Sequence, residues 1–205
     1  MKHLLLVCSI SFIMGNSNSN QIGICTKSTG DVQRSGEIRS GKIRKGESIY
    51  DGDKITTGEY GFLSILNIKD RSIVKIFGNT SLKIYGSSEN NFLKSEINIF
   101  GGRVSAEITK LENREFLVKT PVSIASVKGT YFLAEHRSMN HHGPHHRGVS
   151  DCVFSVITGK VEIQNTKSGK TILIEDGKTV ISTPKGEFLI FETTEEFTEH
   201  YKEPE

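Results

Sequence analysis

The stretch 116–133 constrains this chain more than any other. It reads Phe-Leu-Val-Lys-Thr-Pro-Val-Ser-Ile-Ala-Ser-Val-Lys-Gly-Thr-Tyr-Phe-Leu. Its ends are β-branched and aromatic runs, which suit a pleated, half-buried surface. Between them Val122, Ile124 and Ser126 alternate with Ser123, Ala125 and Val127, small residues for a tightly packed strand. Pro121 lacks a donor N–H, so it belongs at a strand start, an edge or a bulge. Gly129-Thr130 has two readings. It is either an edge where a partner strand adds or a bulge inside the sheet, and the apolar surroundings favour the bulge.

The flanking sequence continues in the same style. Segments 62–68, 73–77, 81–85, 97–100 and 104–108 are short β candidates separated by Gly, Asn, Asp and Ser. Val104-Ser105-Ala106-Glu107-Ile108 alternates cleanly. Residues 34–45 are polar and broken by Gly36 and Gly41, which predicts a hairpin with a weak second strand near the domain edge. Further strands are expected at 153–156, 160–164, 171–174, 179–182 and 187–191. No core segment shows a 3.6-residue apolar period, and no internal repeat stands out, so parallel α/β folds are disfavoured. The expected class is all-β, a single domain of short, mostly antiparallel strands arranged as a sandwich or a solenoid-like stack.

The N-terminus differs in kind. Lys2 and His3 precede an apolar run ending at Met14, and small residues follow at Gly15, Ser17 and Ser19. This layout predicts a secretory signal peptide over 1–19, cleaved after Ser17 or Ser19. The run is short for a membrane span, and no second one approaches that length, so the mature chain should have no transmembrane helix. Cys8 lies inside the run without the small preceding residue that lipidation needs. Removal of 1–19 leaves Cys25 and Cys152. In an exported chain these are either a disulfide or two separate free thiols. The 26 basic and 24 acidic residues are interspersed, which gives no field for nucleic acid.

The motifs of the β region resemble the FecR-type periplasmic domain. Val118-Lys119-Thr120-Pro121 followed by Ala125-Ser126-Val127-Lys128-Gly129-Thr130 is similar to that family's core signature. Gly52-Asp53-Lys54-Ile55-Thr56-Thr57-Gly58 looks like its early turn, 63–82 its next two strands, Gly102-Arg103-Val104 its mid-domain turn, and Val156-Ile157-Thr158-Gly159-Lys160-Val161 its late hairpin. Asp70-Arg71-Ser72 departs from the family's Asp-Gly-Ser, and a distorted turn is expected there. The resemblance implies a FecR-like β domain over 20–191, a histidine-rich insertion at 137–150 and an acidic C-terminal tail at 192–205. Thr193 and Glu196 fit a capping box for a short helix in that tail, which could equally fray. FecR-like domains are the periplasmic parts of transmembrane sensors that control a sigma factor. Only Met1, Lys2 and His3 precede the apolar run, so an anti-sigma arm is not expected.

Ligand chemistry is concentrated in the insertion. His141, His142, His145 and His146 surround Gly143-Pro144, with His136 just before. Imidazoles at this density can take up Zn, Ni or Cu, although adjacent histidines on an extended chain point apart. The competing reading is a solvated loop without a metal. No cofactor is required by any motif. There is no Gly-x-Ser-x-Gly elbow, Walker loop or dinucleotide fingerprint, and Asp51, Asp53 and Asp70 read as turn formers. The expectation is an exported, non-enzymatic binding or scaffold module of the periplasm or cell surface, with an envelope protein, surface protein or glycan as partner. The alternative is a metal-binding or metal-sensing exported protein working through the histidines.

Overall fold

The computed structural model describes residues 20–137 and 150–204. Among them are seventeen strands and one short helix. The strands make two halves of one continuous sheet. The first half runs, in spatial order, β4 (Ser48–Tyr50), β1 (Gln21–Thr29), β6 (Phe62–Asn67), β7 (Ile73–Ile76), β9 (Phe92–Glu107), β12 (Tyr131–His136), β13 (Cys152–Thr158), β16 (Lys178–Ser182) and β17 (Phe188–Glu192). The second runs β3 (Ser40–Lys42), β2 (Val32–Ser35), β5 (Lys54–Thr57), β8 (Ser81–Glu89), β9 again, β10 (Arg114–Lys119), β11 (Ser123–Val127), β14 (Lys160–Asn165) and β15 (Thr171–Glu175). Every pairing given is antiparallel except β9 with β10. Alternating side chains of both halves meet in one apolar core, with Ile65, Val104, Phe132, Phe154 and Val180 from the first and Ile55, Leu82, Ile97, Val118, Val127 and Val161 from the second. The all-β expectation of short, mostly antiparallel strands holds.

The two halves share β9, which corrects the sequence reading of 97–100 and 104–108 as separate strands. Its first part pairs with β8 through Gly101, and from Gly102 onward it pairs with β12. Gly102 is therefore the bend where one strand passes between layers, not a turn between two strands. Its φ is +98°, and a Cβ there would lie 2.5 Å from the Thr80 Cα, so glycine is required for both conformation and space.

A second correction concerns Gly129-Thr130. These residues are not a bulge inside a sheet. They form the corner where the chain leaves β11 in the second half and enters β12 in the first. Gly129 has φ +66°, and a Cβ would come 2.5 Å from the Lys110 Cβ. The Thr130 hydroxyl anchors the corner by donating to the Lys160 carbonyl at 2.9 Å. The actual register shift falls one step later, between Tyr131 and Phe132. The edge hairpin expected at 34–45 is present as β2 and β3. The turn at Arg71 is distorted as anticipated, with a φ of 59° on a non-glycine residue.

The tail packs onto the outer face of the first sheet. Helix α1 (Glu195–Glu199) is capped by Thr194, one residue after the expected Thr193, with the Thr194 hydroxyl accepting from Phe197 N. Tyr201 is buried beside Phe77, ring centroids 5.5 Å apart, in a small second core with Phe62 and Leu133. This aromatic contact is what orders the segment.

Candidate functional site

The signature Thr120-Pro121 sits in the turn between β10 and β11, at the centre of a buried polar network. The register places His136, Cys152 and Ser182 side by side across β12, β13 and β16. Thr120 and Ser123 meet this row from the other half, so the network bridges the two layers. The Cys152 thiol donates to the Thr120 hydroxyl at 2.9 Å, and His136 Nδ1 lies 3.2 Å from Cys152 Sγ. The Thr120 hydroxyl accepts from Ser123 N at 2.9 Å and donates to the Ser123 carbonyl at 3.1 Å. Ser123 Oγ donates to Ser182 Oγ at 2.7 Å, and Asn165 Nδ2 donates to the same oxygen at 2.8 Å.

A cysteine beside a histidine invites a nucleophile reading, but its surroundings oppose one. Burial pushes the Cys152 thiol up to about 12, against the smaller pull of the Thr120 hydrogen bond. Burial also lowers the His136 imidazole, opposed by Asp151. A neutral imidazole beside a protonated thiol gives no thiolate to attack with. The pair instead satisfies polar groups inside the core.

Cys25 and Cys152 are two separate buried free thiols. They lie on β1 and β13, five strand spacings apart in the first half. At ~4.8 Å per spacing this is roughly 24 Å along the sheet, far beyond the ~7 Å that a disulfide allows between Cα atoms. Burial and the nearby Glu47 charge push Cys25 up to about 11.

Two buried ion pairs were not anticipated. Asp53 and Asp70 do form turns, accepting from Tyr50 N and Ser72 N at 2.9 Å each. Each also faces a buried arginine, Arg34 at 3.6 Å from Asp53 and Arg114 at 2.5 Å from Asp70. Desolvation raises the Asp53 carboxyl, with Arg34 and the Tyr50 N–H opposing, and lowers Arg114, with Asp70 opposing. Strand period was the available signal. Arg114 shares a face with Phe116 and Val118, and Arg34 with Val32, so both point inward.

A cleft of about 380 Å³ lies on the outer face of the first sheet, lined by Arg103, Glu135, Arg137, His200, Tyr201 and the side of α1. Arg103 and Glu135 are direct cross-strand neighbours on β9 and β12. Arg103 Nη1 donates to the His200 carbonyl at 3.0 Å, and its guanidinium lies 5.9 Å from the Tyr201 ring centroid. Arg137 pairs with Glu135 at 3.4 Å. Among the described residues the buried Tyr201 hydroxyl has no hydrogen-bond partner. The cleft is thus a charged recess suited to recognition, with neither thiol in its lining. Of the expected metal ligands, His136 lies in the core on β12, while His141, His142, His145 and His146 fall outside the described residues. Among the described residues no cluster of three or more metal-ligating side chains occurs.

Together these features define a two-layer all-β domain whose signature residues build corners and a core network. The FecR protein family matches residues 53–162, just over half of the chain, and the chain belongs to that family. No curated protein matches it. Two crystal structures of a candidate anti-sigma factor from Parabacteroides distasonis, at 2.50 Å and 1.65 Å resolution, share the fold with TM-scores of 0.54 and 0.52. Each is 17% identical, and each match covers 68% of this chain and 59% of the other. Among the described residues no helix is long and apolar enough to cross a membrane.

Proposed function

We propose that this protein is an exported, non-enzymatic binding module of the cell envelope, in the signalling class to which FecR domains belong. The observation that carries this reading is the contrast between its two polar sites. The Cys152–His136 pair is sealed in the core as a protonated thiol and neutral imidazole, whereas the accessible cleft offers arginines and carboxylates arranged for recognition. The reading rests on the β domain and assigns no contact with a sigma factor.

Affinity capture from the organism's own envelope fraction tests it. Bait proteins are the unaltered chain, a chain lacking 138–149, and an Arg103→Ala/Arg137→Ala variant. The expected result is one partner recovered by the first two and depleted with the third. Recovery that depends on the histidine segment, together with a calorimetric Zn, Ni or Cu titration abolished by replacing His141, His142, His145 and His146 with Ala, would move the assignment to metal binding.

A further inference from the structure

The outer face of the first half-sheet carries an apolar patch. Phe62 on β6, Phe77 just after β7 and Leu133 on β12 are all buried, yet they pack apart from the main core, with Tyr131 and Ile157 beside them. The outward face of an antiparallel sheet is ordinarily polar and solvated, so this one calls for a cover. The tail supplies it. Of residues 194–204 only Tyr201 is buried, with Phe197 partly buried next to it, ring centroids 5.5 Å apart. Helix α1 itself buries none of its residues. Phe197 and Tyr201 stand four residues apart, the spacing of two anchors on one helical turn laid into a groove.

The tail is held as a bound peptide is held. Among the described residues no backbone–backbone hydrogen bond joins 194–204 to the strands, and the tail N–H groups of Thr198, Tyr201 and Lys202 bond within the tail. Its polar contacts with the body come from three cations. Lys75 and Lys27 both pair with Glu203, at 2.8 and 3.8 Å. Lys27 also donates to the Pro204 carbonyl and lies 5.6 Å from the Phe62 ring centroid. Arg103 donates to the His200 carbonyl. The groove thus sets Lys27, Lys75 and Arg103 around an aromatic pit, and the segment in it brings two rings, a carboxylate and main-chain carbonyls. The unpartnered Tyr201 hydroxyl offsets part of what its ring gains by burial.

We propose that this groove is a docking site for an acidic peptide segment of a partner protein, with Phe and Tyr four residues apart, and that the chain's own tail occupies it in cis as a releasable strap. The tail shows which chemistry the groove accepts: a ring in the pit of Phe62, Phe77 and Leu133, and a carboxylate between Lys27 and Lys75. Its hold rests on one buried ring and on ion pairs at partly exposed lysines, which are individually weak. Tethering is what keeps it in place, at an effective concentration on the order of millimolar. A partner segment of the same chemistry that also satisfies the tyrosine hydroxyl displaces it. Thr194, Glu196, Phe197, His200 and Tyr201 form one wall of the charged cleft, so release of the strap also opens that cleft. The inference therefore rests on the recognition reading given above and names the ligand class and the regulation of that surface.

Fluorescence anisotropy of a labelled peptide spanning residues 194–204, titrated with purified full-length chains, tests the proposal. Tyr201→Ala loosens the strap and should give saturable binding, with circular dichroism showing that the sheet is kept. The unaltered chain, whose tail competes in cis, should bind about tenfold more weakly. Phe197→Ala, at the partly buried anchor, should fall between them. Adding Lys27→Glu/Lys75→Glu to Tyr201→Ala should lower its affinity by about tenfold, and a peptide with Ala at both aromatic positions should not bind. Absence of saturable binding to both the Tyr201→Ala and the Phe197→Ala chain overturns the proposal, as does equal affinity for all three chains. The titration uses purified components, so its failure beside a successful envelope capture removes the groove and leaves the cleft reading, whereas saturable binding beside an empty capture supports the groove and removes the envelope partner.

Discussion

Removing the carboxylate of Asp70 isolates the cost of a buried charge in this fold. Asp70 and Arg114 side chains are each 1% exposed and 2.5 Å apart. Asp70→Ala leaves the guanidinium inside the sandwich without its counter-ion, a change that typically costs ~3–5 kcal/mol. Three contacts soften it. Arg114 Nη1 still donates to Ser72 Oγ at 2.8 Å and to the Thr109 carbonyl at 3.1 Å, and the guanidinium stays 5.3 Å from the Phe116 ring centroid. The lower end, about 3 kcal/mol, is therefore expected. For a domain of this size that corresponds to a fall in thermal midpoint of roughly 6–12 °C. The chain contains no Trp, so urea unfolding is best followed by far-ultraviolet circular dichroism. Asp70→Ala/Arg114→Met, which removes the charge as well as its partner, should be more stable than the single variant. A single variant within about 0.5 kcal/mol of the unaltered protein, or a double variant less stable than the single, would refute the reasoning.

Two other expectations concern the core thiols and imidazole. Cys25 and Cys152 are buried and pushed up to about 11 and about 12, so iodoacetamide at pH 8 should leave both unmodified in the native protein and label both in urea, as read by peptide mass mapping; rapid native labelling of Cys152 would contradict its placement. Burial lowers His136 below its ordinary value of 6.5, so the unfolded chain takes up a proton that the folded chain resists, and stability present above pH ~6.5 should be lost as pH falls below it. His136→Asn should flatten the dependence of the urea midpoint between pH 7.5 and 5.5 relative to the unaltered protein, and an unchanged slope would show that His136 is not held neutral.

Much of the architecture was legible from local chemistry. Turn residues and β-branched runs mark strands independently of their partners, which is why the edge hairpin of β2 and β3 and the closing strands could be read directly. The continuous β9 could not, because Gly101-Gly102 carries the same local signal whether a strand ends or bends between layers. Only its partners, β8 on one side and β12 on the other, distinguish the cases. Gly129-Thr130 failed for the same reason: a positive-φ glycine among apolar residues fits a bulge and a corner equally.

The site was less legible because its parts converge from distant strands. Thr120, His136, Cys152, Ser123 and Ser182 meet only after the two halves stack, and no spacing in the sequence encodes that meeting. The inward arginines were different. Arg114 occupies the same alternating face as Phe116 and Val118, and a strict period-two reading would have placed it inside and demanded a buried acid for it. Asp70 meets that demand from the turn after β6, where its other oxygen already accepts from Ser72 N. A turn former thus serves as a counter-ion as well, and this double duty explains why substitution there should disturb the core and the loop together.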